Sequence, residues 1–158
     1  MDDKRALLRH TIATVAYRGA KVVRGVPASF ADFDADGSHR TPLRILAHIG
    51  DLYDWVLTQA KGAEAWRDSP PLEWEQEVER FFAALHRFDE YLASDAPLAV
   101  APEKLFQGAL ADSLTHIGQL AMLRRLAGAK MKSENYSRAD IQTGRVGREQ
   151  TAPKREFD

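Results

Sequence analysis

A chain of 158 residues is long enough for one domain with a buried core, and with no cysteine it has no disulfide, thiolate metal site or cysteine nucleophile. Apolar residues make up 44%, charged residues 28%, and the net charge is -1. That is a globular composition with no bulk charge to draw nucleic acid or an anionic membrane. The N-terminal MDDKRALLRH lacks an apolar signal core, and no apolar run approaches the ~18 residues of a membrane span. The expectation is a cytoplasmic protein with neither membrane nor nucleic acid as partner.

The first helix is predicted from about Asp3 to Arg24. Leu8, Ile12, Val15, Gly19 and Val22 form one stripe by steps of four and three, with His10, Arg18 and Lys21 off it. Gly25 and Pro27 end it. VPASFADFDADGSHR reads as a loop pinned by Phe30 and Phe33; its aspartates lack the spacing and terminal Glu of an EF-hand. Thr41-Pro42 is a helix start, an N-cap hydroxyl before a proline at the first helical position. That second helix runs to about Gln59, with Ile45, Ile49, Leu52 and Val56 as its core stripe and His48 on the stripe's edge.

GAEAWRDSPP is a second loop. The third helix, from Glu73 to about Ser94, carries the most regular seam: Trp74, Val78, Phe81, Leu85, Phe88 and Leu92. Glu73, Glu75, Glu77 and Glu79 crowd its first turns, where the helix dipole favours negative charge. His86 falls off the seam, on the surface. The fourth long helix begins between Pro102 and Gly108 and ends near Gly128. Beyond it the chain is polar, without a period, and Tyr136, Ile141, Val146 and Phe157 are its apolar anchors. It reads as an extended arm lying over the bundle or reaching a partner subunit, with disorder as the alternative. The fold class is therefore all-α: a four-helix bundle over residues 1–128 with a C-terminal arm over residues 129–158. Up-down-up-down and crossover topologies both fit the link lengths.

GALADSLTHIGQLAMLRRLAG places polar groups where a plain core helix has apolar ones. With about 100° per residue, Asp112 and Gln119 fall within about 60° of His116, in a sector shared with Leu120 and Leu123. An acid one turn before a histidine on an inward face can hold a metal ion, as the HExxH zinc helix does. A buried hydrogen-bonded His–Asp pair has the same spacing. In bundles, metal sites form from side chains on facing helices, and His48 on helix two completes a three-ligand set with Asp112 and His116.

Three segments resemble the DinB/YfiT-like superfamily of metal-dependent four-helix-bundle proteins: LRILAHIGDLYDW, DSLTHIGQLAMLRRLAG and LEWEQEVERFFAALHRFDEYL. ENYSRADIQTGRVG in the arm is similar to one subgroup. The resemblance implies metal ligands at His48, Asp112 and His116, with Asp112 standing where most members have histidine. Two histidines and a carboxylate still make a metal site, with less preference for nickel than three histidines would give. The resemblance further implies one divalent ion (zinc, nickel, iron or manganese), a homodimer, and an S-transferase or isomerase. Such an enzyme would act on a small-molecule substrate with a metal-activated low-molecular-weight thiol. Asp51, Tyr53, Gln119 and Arg124 are candidates to orient substrate or support the ligands. Two other readings stay open: a metal-dependent hydrolase, and a non-catalytic, stress-related dimeric binding or scaffold protein with a degenerate site.

Overall fold

The computed structural model describes residues 2–158. Its helices are α1 (Asp3–Val23), α2 (Pro42–Ala60), α3 (Trp74–Ala93) and a fourth rod. The rod comprises α4 (Pro102–Leu105), a π-turn (Phe106–Leu110) and α5 (Ala111–Leu126). Local chemistry sets the boundaries. The Asp2 carboxylate accepts from Lys4 N and Arg5 N to start α1, and Gly25, at φ 63°, turns the chain away after it. The Thr41 hydroxyl caps α2, with Pro42 next to it.

All five predicted stripe residues of α1 are buried, and the α3 seam is buried at Val78, Phe81, Leu85, Phe88 and Leu92. Together with Ile45, Ile49, Leu52 and Val56 of α2 they form one continuous core. His86 is exposed, as its place off the seam requires. Phe30 pins the first loop from a fully buried position, whereas Phe33 is only half-buried.

The helices pack in the cyclic order α1, α3, α2, α5, so α1 lies diagonal to α2. Cross-helix bonds give directions. Arg80 and Arg87 of α3 reach Ala47 and Asp54 of α2, and Tyr91 reaches the α2 carbonyl of Ala60, so α2 and α3 run parallel. Arg9 of α1 pairs with Asp89, and Arg5 with the Leu92 carbonyl, so α1 and α3 are antiparallel. Arg124 of α5 binds carbonyls at the end of α1, so those two are parallel. The topology is up-down-down-up, which resolves the choice in favour of a crossover. A parallel α2–α3 pair forces residues 61–73 to run back along the bundle. α2 is about 28 Å long, and a link of that size can span roughly 40 Å when extended.

Two details differ from the sequence reading. Glu77 is fully buried, accepting from Leu72 N and pairing with Arg80, where only a favourable helix dipole was expected to act on it. In the arm, Val146 enters the core and Tyr136 and Ile141 are half-buried, but Phe157 is 53% exposed. What fixes that end is polar: β1 (Ser133–Glu134) pairs antiparallel with β2 (Glu156–Phe157). Lys21 of α1 grips Glu134 and Glu156, at 2.7 and 2.9 Å. The arm thus lies over α1 of its own chain. Among the described residues no helix is long and apolar enough to cross a membrane.

Candidate metal centre

α2 and α5 pack side by side and antiparallel, which sets His48 opposite the first turns of α5. The buried residues of α5 are Ser113, His116, Ile117, Leu120 and Arg124. On the helical wheel their mean direction is about 55° from His116 and about 95° from Asp112. His116 therefore belongs to the buried face and Asp112 sits on its flank. The side chains are 6% exposed at His116, 36% at His48 and 46% at Asp112. The sector around His116 expected to point inward is buried at His116 and Leu120.

His48, Asp112 and His116 each bring one ligand atom into a group spanning no more than 4.8 Å. Asp112 Oδ2 lies 3.4 Å from His116 Nε2 and 3.9 Å from His48 Nε2. The two imidazole rings stand perpendicular, with centroids 4.8 Å apart. For ligands about 2.0–2.1 Å from a tetrahedral ion, neighbouring donor atoms are about 3.3 Å apart. The 3.4 Å edge meets that requirement, and the wider edges close with small side-chain rotations. The residues present fit a divalent cation held by two nitrogens and one oxygen.

His116 Nδ1 donates to Gln119 Oε1 at 2.8 Å, which orients the ring with Nε2 turned toward Asp112. Burial pulls His48 below the ordinary histidine value; the His116 ring adds to this, and Asp112 and Asp51 oppose it. His48 is thus a neutral imidazole at neutral pH, the form that ligates metals.

Of the other sequence candidates, Gln119 is at the site through this bond. Asp51 is close enough to act on His48 by charge, but its carboxylate is committed to Arg80 and to Ser69 N, which ties down the crossing link. Tyr53 is fully buried, its hydroxyl 3.3 Å from Ser113 Oγ. Arg124 lies two turns beyond His116. Its guanidinium binds the carbonyls of Val22, Arg24 and Ala129, closing the ends of α1 and α5. The structure does not bring Tyr53 or Arg124 to the triad's open side.

Sequence reasoning missed two parts of the surroundings. Trp66, carried by the crossing link, stands edge-on to His48 at 5.6 Å and to Trp55 at 5.8 Å. Its signal was a lone large aromatic in a polar loop. The second part is a groove of about 320 Å³ lined by Ser38, His39, Arg40, Arg44, Ile45, His48 and His116. No family model matches the chain, and neither the curated proteins nor the solved structures contain a match.

Proposed function

We propose that His48, Asp112 and His116 hold one divalent cation and that the chain is a metal-dependent enzyme of the DinB/YfiT-like superfamily. In this reading it is a homodimer that acts on a small-molecule substrate as an S-transferase or isomerase using a low-molecular-weight thiol. The observation that carries the metal assignment is the convergence of three donor atoms from two helices beside a groove. Two nitrogens and one oxygen suit zinc, iron(II) or manganese, and lower the preference for nickel relative to a three-histidine set. When bound, the cation lowers the pKa of a thiol or water placed on it and so supplies a nucleophile at neutral pH.

The chain's own residues have separate tasks. Gln119 holds the His116 tautomer, and the perpendicular rings fix the two nitrogens without competing for one plane. Trp66 packs edge-on against His48 and supports the ring from the crossing link. The thiol assignment is supported by the resemblance of the helix-two and helix-four segments. The exposed edge at Asp112 favours hydrolysis as the second reading, because it admits water directly to the carboxylate side.

Elemental analysis of protein purified without chelator or a histidine tag tests the metal. One ion per chain is expected, with His48→Ala and His116→Ala losing it. Well under one ion after loading with zinc, manganese or iron(II) leaves the scaffold reading. Holoprotein that accelerates conjugation of a model electrophile with glutathione, bacillithiol or mycothiol supports S-transfer; ester cleavage without thiol supports the hydrolase. Light scattering should give about twice the 17.7 kDa chain mass, and a monomer would remove the dimer.

A further inference from the structure

The groove beside the triad has a chemical character that the three ligands alone do not explain. Its outer wall is the loop before α2 and the first turn of α2, which bring Arg40 and Arg44 to the same hollow as His48 and His116. Arg44 is one turn before His48 on α2, so the two side chains share a helix face. Neither guanidinium has an ion pair or side-chain hydrogen bond among the described residues; Arg44 contributes only its backbone N–H, to Thr41.

No acid of the same loop forms an ion pair with them among the described residues. Asp34 accepts from Gly37 N and His39 N and faces the His39 ring, and Asp36 accepts from Ser38 N. Those bonds hold His39 at φ 60°, a conformation that costs energy in a non-glycine residue and fixes where Arg40 leaves the loop. The hollow continues past Arg40 and Ile45 into a second one of about 220 Å³ lined also by Asp36, Gln119, Met122 and Leu123. A trough thus leads from the triad past two unpaired guanidinia to an end where two apolar side chains meet Asp36 and Gln119.

We infer that this groove is the substrate subsite and that it selects a small molecule carrying an oxyanion, a carboxylate or a phosphate, held by Arg40 and Arg44 while its reacting end lies at His48 and His116. The planar fork of a guanidinium suits both oxyanions, and charge-assisted bonds of this type are the strong ones. The hollow is at the lower end of the size range of small-molecule pockets, which suits a metabolite-sized ligand. The inference rests on the metal reading above, and the experiment separates the two.

Protein loaded with cobalt(II) is titrated with 3-mercaptopropionate and with 2-mercaptoethanol, of which only the first carries a carboxylate, and binding is followed in the visible spectrum. The wild type should bind the carboxylate about tenfold more tightly or better. The double variant Arg40→Ala/Arg44→Ala, with the same cobalt content, should lose that preference. Equal affinities in the wild type, or a preference that survives in the variant, would overturn the inference. Competition by propionate against competition by inorganic phosphate tells which oxyanion is preferred, and competition by neither counts against the subsite. If the wild type takes up no cobalt, the metal reading fails by itself. The groove is then read in metal-free protein from backbone amide shifts of residues 38–45 on adding propionate or phosphate. Shifts abolished in the double variant uphold the anion subsite, and their absence sinks it.

Discussion

Asp112 is the residue on which the metal site turns. It supplies the only negative charge among the three ligands and is also the most exposed of them. Asp112→Asn should weaken zinc binding, because a neutral amide replaces the carboxylate. Asp112→His should retain or tighten it, since a third imidazole reaches from the same flank of α5; chelator competition measures both. Gln119 acts on the ion only through His116. Gln119→Leu should cost about 10–100-fold in affinity by freeing the ring to turn and change tautomer, with helical circular dichroism unchanged. An unaltered affinity would reduce Gln119 to a packing residue. The triad was legible because the i, i+4 spacing of Asp112 and His116 and the edge position of His48 are local patterns. The carbonyl-binding role of Arg124 was not legible, for a local reason too. A basic residue in the last turn of a helix looks the same in sequence whether it faces a ligand or, as here, the end carbonyls of a neighbouring helix.

At the scale of elements, close approach between helices positions everything else. A Cβ added at Gly19 would come within 2.7 Å of the Phe81 ring, so α1 and α3 meet at this glycine. Gly19→Val should destabilise by roughly 1–3 kcal/mol through overpacking, more than the better helix propensity of valine returns. Urea unfolding measures it, and an unchanged midpoint would mean that the ring moves aside. The apolar stripes of α1, α2 and α3 were readable because burial on one face imposes the 3.6-residue period. The π-turn was not: Leu105, Ala109 and Leu110 are buried in a spacing that an unbroken α-helix also permits. Nor was the path of residues 61–73. A link without a period carries no record of its route, and only the parallel pairing of α2 and α3 sends Trp66 across His48.

At the scale of the whole molecule, the arm and the bundle are joined by a titratable cluster with its own pH signature. Tyr17 donates to Glu134 Oε1 at 2.7 Å, and burial followed by that bond pushes the Tyr17 phenol well above the ordinary tyrosine range. Burial pulls Lys21 down, but its bonds to Glu134 and Glu156 prevail and hold it above the ordinary lysine value. Tyr136, edge-on to Tyr17 and with Arg18 over its face, is raised by burial. In all three the folded state holds the proton more tightly than the unfolded chain. The stability they contribute is therefore fully present below the unfolded values, near pH 10. It drains away as pH rises through the higher folded values, because the unfolded chain then releases protons first. The urea midpoint should stay level up to about pH 9 and fall from about pH 10 to pH 12, and cleavage by protease within residues 129–158 should increase over the same interval. Tyr17→Phe cannot ionise, so it should flatten part of that decline while lowering stability at pH 8, where Glu134 loses a donor. A midpoint that stays level to about pH 12, or a Tyr17→Phe variant with the same slope as the wild type, would show that this cluster is not what ties the arm to α1.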